Sequence, residues 1–546
     1  MGGMVYLLRN KLLISLSVRI LPIFLILTFL SCQSSKSALE GDANNLDSQK
    51  IKKNEPSPEA LKFFMNGQML MNQGDFAMAI IEFQEALTLD PNVGTIYTSI
   101  AECYWNIGKS ELSMKNLKIA LTKNPEDEEA LRIMADQLIV MKKYDEAIVS
   151  FKKLRAINRE ETRYIIALAE LNKLKKNYLS AVNLYLEAYR IEPSRIDLLE
   201  SAGRYALQLE NKNKARDIFK DLSAQNPSQT SYLNIYSELS IQLKSYKEAI
   251  AHIQKLIRDN GDSSDLQAKI GILHHASGDS KKGENILRGL FDRKDLNAKY
   301  TLSLFEIYFD NEDNISAAKI SDDMITSFPE DWRGYYSRSL VYMDENEYKS
   351  AISILGPISE TFSNNFSIQY ILGLCYSRIK MNDEAINYYS RALSILPNSI
   401  NVLHSMAIVY DEIGEWIKSD KIYDQLIKNN PADAQAFNNY AYSLVERNRD
   451  LGRALNYAKK AIEIEPKNPS YLDTIGWVYF KMNDIKRARA YIEQSIEIQG
   501  DNSTVLEHLG DILMKSNDSV NALVFYKKAF EFDKENLQLK KKAYPD

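Results

Sequence analysis

The sequence predicts an all-α solenoid of about fourteen helix-turn-helix units, stacked in one line. Three observations predict it. The chain repeats itself at a 34-residue step, with repeats starting at Ala60, Gly94, Glu128, Thr162, Ile196, Thr230, Ser264, Ala298, Trp332, Phe366, Ile400 and Ala434; one residue is inserted near the turn of the repeat from Ala434, and two more repeats start at Pro469 and Ser503. Two slots in this frame hold small residues. The eighth is small in thirteen of fourteen repeats, Phe305 being the exception, and the twentieth, from Ala79 to Ala522, is small in all fourteen, which chance does not produce. A proline recurs where each second helix should stop, at Pro91, Pro125, Pro193, Pro227, Pro329, Pro397, Pro431 and Pro466.

The chain opens differently. Arg9, Lys11 and Arg19 precede Ile20–Leu30, an uncharged and largely apolar run. That run is too short to span a bilayer as a helix but suits the apolar part of an export signal. Phe29-Leu30-Ser31-Cys32 resembles a bacterial lipobox, although Phe29 stands where Leu is usual and Leu30 where a small residue is usual. The resemblance implies that residues 1–31 are a lipoprotein-type signal peptide and that Cys32 carries the lipid. Gln33 is not an acidic retention residue, so the resemblance leans towards the outer membrane, facing the periplasm. Residues 32–59 then read as a polar tether, too poor in apolar residues to fold.

Residues 60–536 form the repeat array. Within the repeat from Phe366, Tyr370, Gly373, Leu374 and Tyr376 follow three- and four-residue steps, Asn382-Asp383 make the turn, and Ala385, Tyr388, Tyr389 and Ala392 form a second stripe. Pro397 ends that stripe because it cannot continue the hydrogen-bond ladder. The small slots have a direct cause: helices that cross at about 8–10 Å need small side chains where their backbones come nearest. Degeneracy is greatest over 196–331, and Phe305 and Gly283 predict looser packing or a bend near 264–331. Lys540, Lys541 and Lys542 make residues 537–546 a basic C-terminal tail, read as a solvated helix end.

This pattern is similar to the tetratricopeptide-repeat (TPR) family. Phe63, Gly67, Ala79, Phe83, Ala86 and Pro91 fit its motif, as do Leu372, Gly373, Tyr376, Ala385, Tyr389, Ala392 and Pro397. The resemblance covers 60–536 and implies a right-handed superhelix with a groove lined by the first helix of each repeat. It is specific for fold and uninformative about ligand.

Composition excludes more than it selects. Net charge is −5 with both signs mixed, so no global basic field points to nucleic acid. Cys103 and Cys375 occupy the same slot of two distant repeats, which implies no disulfide. The five histidines, His252, His274, His275, His404 and His508, form no zinc motif, and no phosphate-binding loop occurs. His274-His275 reads as an ordinary helix pair, one ring in and one out. No enzyme, metal or cofactor is expected.

By the family's geometry the second, fifth, ninth, twelfth and thirteenth residues of each repeat face the groove. In the C-terminal half these include Tyr336, Tyr370, His404, Asn438, Tyr442, Asp473, Trp477, Glu507 and Asp511. Aromatics interleaved with amides and acids suit a peptide, and Asp473, Glu507 and Asp511 favour a basic one. Packing between repeats is the other reading of Tyr370 and Trp477. The expected function is a protein-binding scaffold tethered in the bacterial cell envelope by an N-terminal lipid, assisting assembly of an envelope or secretion complex. A soluble cytoplasmic adaptor and a glycan- or peptidoglycan-binding solenoid are the alternatives.

Overall fold

The computed structural model describes residues 57–545, all of whose regular elements are helical. The expected signal peptide, Cys32 and most of the expected tether lie outside the described residues. Among the described residues no helix is long and apolar enough to cross a membrane.

Helices alternate as the repeat frame requires. From the second repeat onward each first helix starts at the residue where the frame starts, from Gly94–Asn106 to Ser503–Lys515; in the first repeat the helix Pro58–Asn72 starts two residues early, with Pro58 in the first turn, where its missing N–H costs nothing. Repeat ten is representative: Phe366–Arg378, a short turn, then Asn382–Ile395. Asn365 caps the first of these, accepting from the Ile368 N–H at 3.1 Å. The fifteenth slot, just past each first helix, is left-handed throughout. Gly74, Gly108, Gly278 and Gly414 adopt it freely, whereas Lys142, Lys176 and Lys380 do so at a steric cost of roughly 1 kcal/mol each.

The small slots are where the two helices of a repeat meet. Every residue of the twentieth slot is buried, Ala79, Ala317, Ala385 and Ala522 completely. A Cβ added at Gly373 would lie 2.5 Å from Cδ1 of Tyr389 on the facing helix. The large residue opposite an eighth-slot glycine is Phe83 in the first repeat, Tyr389 in the tenth and Tyr526 in the fourteenth. Repeat eight inverts this arrangement: Phe305 occupies the small slot at 1% exposure, and Ser321, fully buried, takes the slot of the large ring. The expectation of loose packing at Phe305 is therefore corrected, because the volume is exchanged across the helix pair rather than lost. The chain does divide inside 264–331. Among the described residues, 57–296 and 297–545 form two compact units.

Within each unit, first helices of neighbouring repeats pack on one another, while second helices of neighbouring repeats stand further apart. The first helices thus line one face. In the second unit one core runs unbroken from Leu403 to Ala543. Its end corrects the reading of the C-terminus as a solvated tail. Residues Leu537–Ala543 form a helix where the first helix of a fifteenth repeat would lie, with Leu539 and Ala543 fully buried.

Cys103 and Cys375 are buried and free. Burial pushes their thiols up, to about 11 and about 12. His252, on Tyr246–Asn260, is buried with Nε2 2.9 Å from Ser223 Oγ and meets Tyr236 edge-on. Burial, then the Lys220 and Lys255 ammonium groups, holds it down at about 4, with Glu248 opposing.

Two predictions follow from this packing. Ser321→Phe alone overpacks repeat eight and costs about 1–3 kcal/mol; combining it with Phe305→Gly restores the size pattern of the other repeats and recovers part of that loss, read as hydrogen-exchange protection of Ala298–Ser327. The unfolded state binds a proton on His252 before the folded state does. Stability from this group is therefore complete above pH 6.5 and is lost as pH falls towards about 4. The urea midpoint of residues 196–260 declines across that window, and the decline is shallower in His252→Gln.

Candidate functional site

The fifth slot places one residue per repeat on the first-helix face: Tyr336, Tyr370, His404, Asn438, Asp473 and Glu507. Two of these are packing residues. Tyr370 is 5% exposed, stacked on Phe366 at 5.8 Å and tilted against Tyr389 at 6.2 Å; burial raises its pKa. Tyr336 meets Trp332 edge-on at 5.5 Å, and burial followed by the Glu306 charge raises its pKa.

The next two are polar and buried. His404 Nε2 lies 3.1 Å from Asp433 Oδ2, and Asp433 also caps the next first helix by accepting from the Ala436 N–H at 3.0 Å. His404 Nδ1 and Asn438 Oδ1 have no hydrogen-bond partner among the described residues. Asn438 donates to Asn439 Oδ1 at 3.3 Å.

The last three repeats bring the remaining residues into one network. Trp477 Nε1 donates to Glu446 Oε1 at 2.7 Å. Its ring stacks on His508 at 3.9 Å and on Phe480 at 4.8 Å, with the Lys481 ammonium 4.8 Å from the centroid. His508 Nδ1 donates to Asp473 Oδ1 at 2.8 Å. Asp473, Trp477 and His508 are all buried. Tyr442 is the outward-facing aromatic, 37% exposed. Partial burial first, then the charges of Glu446, Asp473 and Glu507, push its hydroxyl pKa up, which places all three carboxylates near it.

The free acidity read from the sequence is reduced. Lys542, on the C-terminal helix, reaches Glu507 Oε1 at 2.9 Å and Asp511 Oδ1 at 2.7 Å, and Tyr526 donates to Asp511 Oδ1 at 2.7 Å. Asp473 is engaged by His508. Sequence reasoning missed Glu446, His508 and Lys542 as members of this site. Glu446 stands at a groove slot, the thirteenth, and could have been found there. Lys542 carried no signal, because its place depends on the chain continuing into the position of one more first helix. Among the described residues no cluster of His, Cys, Asp and Glu could hold a metal ion.

Helix pairs closed by small residues at two fixed slots define a helical-repeat protein. Several of its repeats match the tetratricopeptide-repeat family. Family models described as Tetratricopeptide repeat match residues 60–93, 366–399 and 469–502, and 201–264 and 406–469. A TPR repeat-containing protein of Methanocaldococcus jannaschii is 21% identical over 432 residues, 76% of this chain and 65% of its own length. Anaphase-promoting complex subunit 7 of Arabidopsis thaliana is 23% identical over 239 residues, 42% of either chain. The chain thus spans less than two thirds of the length of both relatives. Among solved structures, the APC/C hetero-tetramer Cut9-Hcn1 aligns with 89% of this chain and 96% of its own, at 11% identity and a TM-score of 0.40.

The network predicts a split between structural and exposed residues. His508→Ala strips the buried Asp473 of its partner and costs about 1–3 kcal/mol locally, whereas Tyr442→Ala costs about 0.5 kcal/mol or less because its ring faces solvent. Hydrogen exchange over Pro469–Lys481 and Ser503–Lys515 reads the difference: faster in the first variant, nearly unchanged in the second.

Proposed function

We propose that this protein is a non-catalytic scaffold that binds a protein segment on the first-helix face of its last four repeats. The single observation that carries this is Tyr442, an exposed aromatic beside the buried Trp477, His508 and Asp473 and the exposed Glu446 that accepts from Trp477. A preordered aromatic adds contact area at little entropic cost, and the carboxylates around it suit a cationic or N–H-rich segment. A sugar-stacking role is disfavoured, because Phe480 and His508 already stack on Trp477. The finer part of the proposal is tethering in the bacterial envelope through lipid on Cys32, with the bound partner belonging to an envelope or secretion assembly. The lipobox-like Phe29–Cys32 and the polar tether support it.

Crosslinking and affinity purification from native envelopes, comparing wild type with Tyr442→Ala, test the binding site. A discrete partner recovered with wild type and depleted about tenfold or more with Tyr442→Ala is expected, since an anchoring aromatic is worth 2 kcal/mol or more; equal recovery would remove the site from this face. Radiolabelled fatty acid tests the tether separately. Label in wild type and none in Cys32→Ser is expected, and unlabelled wild type would overturn the envelope reading.

A further inference from the structure

A second charged surface lies in the other compact unit. It is a cleft between Tyr246–Asn260, the second helix of repeat six, and both helices of repeat seven, Ser264–Ala276 and Ser280–Asp292. Ile257, Ile270 and Ile286 contribute its apolar floor. Gln254, Arg258, Gln267, His274 and Lys282 form its rim.

The local sequence departs from the repeat here in ways that build the cleft. Glycines occupy both small slots of repeat seven. A Cβ added at Gly283 would lie 2.7 Å from the Gly271 carbonyl oxygen and 3.0 Å from the His275 nitrogen, so these two helices approach with no side chain between them. The preceding second helix, Tyr246–Asn260, has 15 residues and ends at Gly261 with φ 95° instead of at a stop proline. His274 and His275, expected as one inward and one outward ring, are both half-buried: His275 Nδ1 lies 3.0 Å from Ser280 Oγ, and His274 lines the cleft.

The rim carries two cations without an ion-pair partner. Among the described residues neither the Arg258 guanidinium nor the Lys282 ammonium has a hydrogen-bond or ion-pair partner, in a chain where most arginines are paired. Two carboxylates contact rim residues. Asp262 accepts from Gln267 Nε2 at 2.9 Å, and Asp279 Oδ2 lies 3.7 Å from His274 Nδ1 while capping its helix through Lys282 N–H at 3.3 Å. Burial and then the Lys282 charge hold His274 below its ordinary value, with Asp279 opposing.

We infer that this cleft binds an acidic peptide segment, its carboxylates on Arg258 and Lys282, its backbone on Gln254 and Gln267, and an apolar side chain on the isoleucine floor. Charge complementarity selects this occupant. Two unpaired cations beside an apolar floor match alternating acidic and apolar residues, and they repel the cationic segment proposed for the first-helix face. The inference does not depend on that other site, because it uses residues of a different unit and a ligand of opposite sign.

The test uses the purified chain and a fluorescein-labelled peptide of alternating Glu and Leu, with its Gln-for-Glu counterpart and inorganic phosphate as separate arms. Saturable binding of the Glu peptide is expected, weakened about tenfold by Arg258→Glu/Lys282→Glu and by the Gln peptide, and falling with added salt. Both substituted side chains are exposed, so far-ultraviolet circular dichroism should match wild type. The bound carboxylates should also raise the His274 pKa towards 6.5, read by NMR titration. Binding unchanged in the double variant, or equal binding of the Gln peptide, overturns the proposal. A His274 shift with phosphate as large as with peptide also overturns it, reassigning the cleft to small oxyanions.

Discussion

In every repeat two helices approach until the side chain between them must be nearly nothing, and the rest of the architecture depends on that approach. The twentieth slot allows only Ala, Ser or Gly, and all fourteen residues there are buried. One pair of thirteen- and fourteen-residue helices cannot bury its own apolar stripe, so each pair borrows its neighbours. The close approach fixes the angle within a pair, and the pair fixes which faces remain for the next one. First helices consequently touch along the line, and residues at the fifth, ninth and thirteenth slots share one surface whatever their chemistry.

That surface is not held by packing alone. Neighbouring repeats are tied by polar contacts that cross from one first helix to the next: Trp477 to the exposed Glu446, and the buried pair His508 to Asp473. His404 to Asp433 does the same while Asp433 caps a helix. The two histidine–aspartate contacts are shielded from water, so leaving either partner alone costs more than the bond returns. Pairing of this kind sets the register of the last four repeats and leaves Tyr442 on a fixed platform. The C-terminal helix extends the logic. Lys542 stands where the next repeat would supply a partner and closes the line for Glu507 and Asp511.

The repeat frame was legible because packing writes it into residue size. Ala385 and Gly373 can be read without any structure, since nothing larger fits. Phe305 was legible only in part. Read alone it signals a defect; read with Ser321, one helix on, it signals an exchange of volume. The left-handed fifteenth slot was hidden, because Lys142, Glu210 and Lys380 tolerate a conformation that glycine would have announced. The site was legible as a set of positions and not as a set of bonds. Slot arithmetic puts Trp477 on the first-helix face, but whether the ring turns outward depends on His508 and Phe480, 31 and three residues away in the chain. Charge suffered the same limit: Asp511 counts as a free acid until Lys542 is placed beside it.

Specific binding in such a molecule belongs where the repeat departs from itself. A regular repeat satisfies its own polar groups and presents a solvated surface that discriminates little. The regions that differ do so through identifiable residues. Repeats six and seven replace a stop proline with Gly261 and bring Gly271 against Gly283, and the cleft there is rimmed by Arg258 and Lys282, which make no ion pair among the described residues. Repeats twelve to fourteen engage their acids internally and leave Tyr442 exposed. One surface has surplus cation over an apolar floor; the other has an aromatic among half-neutralised acids. Because the two belong to separate compact units, substitutions at one leave the packing of the other untouched. A chain built from one repeated constraint can therefore carry two ligand preferences of opposite sign.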